Sequence, residues 1–595
     1  MTHWLPLDWV LVVVTAWLLV GVIGVFALRR LRFVARVLFP AGGMVALVLF
    51  GVALAAMFDG PEVAVLPIGL PTLPFHLRLD SLSAFFLMVI GATAAGVSAF
   101  AAGYFRRGEG TPPGLLCLEY HLFLASMVGV VLADDAYMFM VMWETMALSS
   151  FFLVTANHRI PEIRRAGYLY LLVAHVGAIG ILMCYGLLRV TFDLIATPLW
   201  WWGAVLLALG LATALFGVVF AAVQVDMKRL LAYSSIENIG LLLAGIGLAV
   251  VFSAYDMKPM AALALTATLY HVASHALFKS LLFLSIGSVL HATGERNLGK
   301  LGGLIRTMPW VAWVTLVGTL ASAGLPPLGG FVSEWLLLQS FLFTPGLPHP
   351  VLNMLIPVVA ALIALVAALA GYTMVKFFGV IFLGQPREAR LAKSHDAVAW
   401  ERAGLVWLAV GCVALGLFPG QVIALIDPVT RSLVGDGIGP QVAAHGWLIL
   451  APVAPERASY SPLLFLLLMS TSFALAFVLV RRLYHGRVRR APPWDCGYPL
   501  QTARMQDTAE GFGQPIRQVF EPFFRIERHL PTPFDKQPYY HLAAGDHFWH
   551  WLYLPVARLT EATSRLVGML QQGRISTYLM YSFVTLLVML VLVFR

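Results

Sequence analysis

Runs of about 20 apolar residues recur along the chain with only short polar breaks between them, and each is long enough to cross a bilayer as a helix. The stretch LVVVTAWLLVGVIGVFAL near the start is typical. A transmembrane β-barrel would need apolar and polar residues in alternation, and these runs show none. With 60% of residues hydrophobic and 12% charged, the chain has too little polar surface for a soluble domain of its size, so lipid is the expected solvent.

Spans are predicted near residues 8–28, 37–58, 80–105, 115–133, 136–156, 166–190, 200–223, 232–253 and 260–291. The next apolar stretch, 309–345, is interrupted by GLPPLGG, whose prolines cannot continue an ordinary helix, and it is counted as one broken crossing. Further spans near 352–383, 402–427, 460–482 and 574–594 make an all-α polytopic bundle of about fourteen crossings. The first run ends in Arg29 and Arg30 with no small-residue cleavage site, so it reads as a retained helix.

The net charge of +9 does not point to nucleic acid, because the basic residues sit at the ends of apolar runs. Clusters at RRLRFVAR, Arg106 with Arg107, HRIPEIRR, Lys228 with Arg229, ERNLGKLGGLIR, PREARLAK and RRLYHGRVRR each follow an odd-numbered span. If that side is cytoplasmic, both termini face outward. Beyond residue 481 a polar, proline- and aromatic-rich stretch follows, and residues 550–573 carry an amphipathic pattern with Arg558, Glu561 and Arg565 on the polar side. That pattern predicts a helix lying on the membrane surface or along a partner. Cys117, Cys184, Cys412 and Cys496 are far apart with no metal-ligand spacing, so no metal, cluster or other cofactor is expected.

Ionisable residues at membrane depth cost several kcal/mol each by insertion scales, so each needs a partner or a function. Glu144 falls near the middle of MFMVMWETMALSSFFL and reads as a proton-binding carboxyl, or else as a protonated structural one. His271, His275 and Lys279 repeat at steps of four and share one helix face, a polar seam able to relay protons. Glu334 follows the proline break directly, beside backbone that protein or water must satisfy. Lys376 either joins this path or snorkels toward a helix end. Lys228 and Glu237 read equally as path residues or as boundary charges, and His175 as a structural histidine.

The blocks MWETMALSSFFLV, VDMKRLLAYSSIENIG, HVASHALFKSLLFLSIGSVLHATGERNLGKLGGL, GLPPLGGFVSEWLLLQ and PPWDCGYPLQTARMQDTA resemble the antiporter-like subunits shared by complex I and membrane-bound hydrogenases, above all the large membrane subunits of hydrogenase-4 and formate hydrogenlyase. The likeness runs over nearly the whole chain. It implies two inverted five-helix repeats, one in residues 115–223 and one in 224–430, between N-terminal spans at 1–114 and a C-terminal extension at 431–595. By motif, Glu144 resembles the family's helix-five glutamate, Lys228 the lysine of its DxKR turn, His271, His275 and Lys279 its central relay, and Glu334 the end of its second broken helix.

A block resembling GxKAxxxPLHxWLPxAHPxAP is absent, so the seventh and eighth family helices are expected to be missing and the first repeat incomplete. The implied role is a non-redox, proton-translocating membrane subunit of an oxidoreductase in the prokaryotic inner membrane. Its implied partners are other membrane-arm subunits and a peripheral hydrogenase or formate dehydrogenase module. A subunit of a multisubunit cation/proton antiporter, or a structural relative with an impaired channel, are the alternatives.

Overall fold

In the computed structural model the chain divides into two compact units, Met1–Gln514 and Pro515–Arg595. The described residues are 4–105, 110–164, 167, 184–195, 198–342, 346–444, 446, 448–452, 459–486, 494–498, 500–503, 505–539, 541–547, 551, 554–568 and 575–593.

The first unit opens with α1 (Pro6–Phe26) and α2 (Leu31–Ala56). Residues Val34–Leu38 of α2 are π-wound just ahead of Pro40. The wider turn accommodates a ring that has no N–H and would otherwise crowd a carbonyl of the preceding turn. A hairpin follows, β1 (Glu62–Leu70) paired antiparallel with β2 (Leu73–Leu79), irregular between Leu66 and Gly69. This hairpin was not expected from the sequence. Phe75, Leu77 and Leu79 are its buried face, alternating with Pro74, His76 and Arg78.

Next come α3 (Ser81–Tyr104), α4 (Pro113–Leu132), α5 (Ala136–Val154) and α6 (Cys184–Leu188), which runs on as a π-helical stretch Arg189–Leu194. Asp80 and Asp135 cap α3 and α5, accepting from the backbone N–H of Ser83 and Met138 at 2.9 and 2.7 Å. Most of the expected 166–190 span, including His175, lies outside the described residues.

The rest of the bundle is α7 (Trp200–Val223), α8 (Met227–Ala254), α9 (Lys258–Thr293), α10 (Pro309–Ser322), α11 (Gly329–Leu342), α12 (Pro350–Phe382), α13 (Ala399–Leu417), α14 (Pro419–Val434) and α15 (Pro462–Leu483). Eleven helices among the described residues are long and apolar enough to cross a membrane. The broken pair α10 and α11 are shorter, and so is the apolar part of the last helix, Thr577–Val591, among the described residues. The expected span 402–427 is two helices, because Pro419 lacks an N–H and the chain turns at Phe418.

Close helix approach positions the interior. Gly203, Gly210 and Gly217 recur at seven-residue intervals on α7, and a Cβ at any of them would strike the backbone of α8. Small residues let the two backbones touch where no hydrophobic effect drives them together. Gly217 meets the backbone of Glu237 itself, which fixes where that residue stands.

Three of the loops that bear basic clusters, near Met227, at 295–306 and at 383–393, are tied to one another. Met227 N–H donates to Arg296 O at 3.0 Å, Gly303 N–H to Leu383 O at 2.8 Å, and Arg390 pairs with Glu295 at 2.7 Å. Burial tends to raise the pKa of Glu295. The N–H groups of Asn297 and Arg296, with Arg390 and Lys300, outweigh burial and hold its carboxyl below the usual glutamate range. A depressed folded pKa contributes stability that is complete above the ordinary value and is lost as pH falls through the folded one. Amide exchange at residues 294–300 should therefore stay slow through pH 5 and accelerate only below the ordinary glutamate range, while Glu295→Gln should exchange faster already at neutral pH.

The second unit holds a hairpin of β3 (Phe524–His529) and β4 (His541–Asp546), where the sequence suggested only an irregular stretch, then helices α16 (Leu554–Gly568) and α17 (Ile575–Val593). On α16 Arg558, Glu561 and Arg565 are exposed, and Arg565 pairs with Glu561 one turn away at 2.7 Å.

Candidate functional site

Three helices build the site. α9 presents His271, His275 and Lys279 as one stripe, α8 presents Ser234, Glu237 and Asn238 within about one turn, and α11 contributes Ser333 and Glu334 just past the break. Residues 323–328 carry the break. Gly324 takes a φ of +61°, which only glycine adopts freely, and Pro326 and Pro327 cannot donate a backbone hydrogen bond.

The side chains form a connected set. Lys279 Nζ donates to Ser234 Oγ at 2.6 Å, and Ser234 Oγ donates to Glu237 Oε2 at 3.1 Å. Asn238 Nδ2 donates to the Ser234 carbonyl at 2.7 Å, which turns its Oδ1 toward His271 Nε2, 3.1 Å away. On the other side of the ring, His271 Nδ1 lies 2.9 Å from Ser333 Oγ. His275 stacks against His271, the two rings 6.3 Å apart, and its Nε2 is buried without a hydrogen-bond partner among the described residues. Ser234, Glu237, Asn238, His271, Lys279 and Ser333 are all buried. A cation and a carboxylate enclosed this way need both their mutual attraction and the bridging hydroxyl to offset desolvation.

Glu334 is half-buried on the next position of α11, and its carboxylate packs so closely over Gly324 that a Cβ there would collide with it. The carboxyl and the backbone break thus form one locus.

The remaining expected residues lie elsewhere. Lys376 on α12 is fully buried and donates to the carbonyls of Ala222 and Gln224, at 2.6 and 2.8 Å, capping the negative end of α7. Lys228, placed in the relay by resemblance, has its side chain exposed in the first turn of α8, where Asp226 caps its N–H at 2.9 Å. Glu144 is half-buried on α5, a helix packed mainly against α4. No group of three or more His, Cys, Asp or Glu residues that could hold a metal ion occurs among the described residues.

Residues 181–364, which contain the whole Lys279 to Glu334 constellation, match the family described as NADH:quinone oxidoreductase/Mrp antiporter, TM. Formate hydrogenlyase subunit 3 of Escherichia coli (strain K12) is 30% identical over 527 residues, taking in 77% of this chain and 83% of that protein. The chain belongs to this family of antiporter-like membrane subunits. Hydrogenase-4 component B of the same organism is 28% identical over 599 residues, covering 87% of this chain and 88% of the relative. Among solved structures, a chain of the membrane-bound sulfane sulfur reductase, an archaeal respiratory membrane complex, shares the fold with a TM-score of 0.66 at 19% identity over 97% of this chain and 99% of that one.

Ser234, Asn238 and Ser333 were not singled out by sequence, and Glu237 was read equally as a path residue or a boundary charge. The signal was present for Glu237 alone: α8 starts at Met227, so ten residues place it about 15 Å inside the helix and not at its boundary.

Proposed function

We propose that this antiporter-like protein moves protons across the membrane within a multisubunit respiratory complex, in response to redox chemistry carried out by partner subunits. The observation that carries this reading is the hydrogen-bonded, buried set Lys279–Ser234–Glu237 and Asn238–His271–Ser333, ending beside Glu334 at a broken helix. Each ionisable member can hold or release a proton, and burial makes its charge sensitive to its neighbours. A change of charge at one end shifts the protonation of the next. In this reading the basic-loop face is cytoplasmic, both termini face outward, and the membrane is a prokaryotic inner membrane. The partners are membrane-arm subunits and a peripheral module of hydrogenase or formate dehydrogenase type.

Within this scheme the moving proton is assigned to the second repeat. Lys376 is given an anchoring place at the end of α7, Lys228 a surface place, and Glu144 the carboxyl of the shortened repeat. An antiporter component without a redox partner is the second reading, favoured by the antiporter half of the matching family's description.

Membrane vesicles containing the intact complex test both. With the native reductant supplied, wild-type vesicles should acidify, and Glu334→Gln should lower the initial rate at least about tenfold with unchanged assembly. Acidification without reductant, driven by an imposed sodium or potassium gradient, would favour the antiporter. Equal rates in wild type and Glu334→Gln would remove Glu334 from the path.

A further inference from the structure

His271 has a hydrogen-bonding neighbour on each side, and these two bonds specify which nitrogen exchanges the moving proton. The Ser234 carbonyl can only accept, so the Asn238 amide that donates to it at 2.7 Å must present Oδ1, also an acceptor, to His271 Nε2 at 3.1 Å. A neutral imidazole carries one N–H, and this geometry places it on Nε2. Across the ring, Ser333 Oγ lies 2.9 Å from Nδ1 and 2.8 Å from the carbonyl of Gly330, one turn back on α11. A hydroxyl has one proton and can donate to only one of these acceptors at a time.

We infer that Asn238 confines proton exchange on His271 to Nδ1, the side of the helix break, and that Ser333 is a positioning residue there, a hydroxyl rotor that reverses its direction with the charge of the ring. This inference rests on the proton-path reading above. When His271 is neutral, Ser333 donates to Nδ1 and leaves the Gly330 carbonyl. When a proton binds at Nδ1, that N–H donates to Ser333 Oγ, and the hydroxyl proton turns to Gly330 O. One proton passes to Nδ1 from a neighbouring protonated carboxyl or ammonium group and is later given up from the same nitrogen to a neighbouring base, while the Nε2 proton keeps its bond to Asn238 and serine keeps its own.

The ring charge is thereby read out at the second residue of α11, three positions before Ser333 and four before Glu334. The charged and titratable groups facing this locus are His275 and Lys279 from α9, Glu237 from α8 and Glu334 from α11. Their combined state sets the pH at which the rotor turns.

The test is nitrogen-15 magnetic resonance on the complete complex in lipid, with labelled histidine and the His271 signals assigned by difference from His271→Gln. The neutral ring should show a protonated Nε2 and a bare Nδ1, and acidification should protonate Nδ1. In Asn238→Leu the bare-Nε2 tautomer should appear, because Ser333 can accept as readily as donate. A neutral wild-type ring with its proton on Nδ1 would overturn the inference whether or not the complex pumps.

In vesicles, Ser333→Ala should slow acidification at least about tenfold and shift its pH profile, and Ser333→Thr, which keeps the hydroxyl, should restore both. An unshifted profile in a folded Ser333→Ala complex would also overturn it. If Lys279→Ala and wild type acidify alike, the proton-path reading fails, and the tautomer measurement still decides the rotor.

Discussion

Lys279→Met is expected to abolish proton translocation and to destabilise the protein by about 3–5 kcal/mol, because it leaves the Glu237 carboxylate buried with no cation. Glu237→Gln should cost less, since the amide can still accept from Ser234 and the ammonium can release its proton. The informative protein is the double variant. Lys279 and Glu237 communicate through Ser234 Oγ, 2.6 Å from one and 3.1 Å from the other, so their effects on stability cannot be independent. Removing both charges together eliminates the orphaned carboxylate. The double variant should recover roughly 1–3 kcal/mol relative to the sum of the singles, while still failing to translocate.

That combination separates a structural ion pair from a working one. A pair kept only for stability would give a double variant that is stable and also active. Stability is read by reversible unfolding of the detergent-solubilised complex, and translocation by acidification of vesicles. Additive stability effects would show that the two charges do not interact through Ser234.

The sequence made the bundle legible because lipid leaves so few solutions. A run such as residues 260–291 can satisfy its backbone only as a helix, and the structure has Lys258–Thr293 there. The histidine stripe was legible for a similar reason, since a spacing of four residues maps onto one helical face. Neutral polar residues carry no such signal. Ser333 and Asn238 matter because of which atoms they turn toward His271, and that depends on three helices meeting, which no local pattern records.

The hairpin at 62–79 was missed for another reason. Phe75, Leu77 and Leu79 do alternate, but Pro67 and Gly69 interrupt the first strand, and the irregular register between Leu66 and Gly69 absorbs them. Pro419 was overlooked inside an apolar run, so one long span was read where the chain turns. Composition reports hydrophobicity; it does not report a missing N–H.

The hairpin's place in the fold leads to the second large effect. Arg189→Ala should destabilise the first unit by about 2–3 kcal/mol, since the half-buried Asp80 loses its two-pronged partner and keeps only Arg78, at 3.2 Å. Arg189 grips both oxygens of Asp80, at 2.5 and 2.9 Å, and donates to Ser83 Oγ at 3.0 Å and Tyr185 Oη at 2.9 Å. Its partner Asp193, at 3.0 Å, also pairs with Arg78 of the hairpin at 3.0 Å. The Tyr185 hydroxyl donates in turn to the Val131 carbonyl at the end of α4, at 2.7 Å.

The polar cluster around this guanidinium therefore ties the π-wound end of α6 to β2, α3 and α4. Arg189→Lys should recover only part of the loss, because an ammonium cannot span both Asp80 oxygens and still reach Ser83 and Tyr185. Proteolysis between residues 184 and 195 in folded membranes should be faster in Arg189→Ala and intermediate in Arg189→Lys. Protection equal to wild type in Arg189→Ala would mean that α6 is held by packing alone.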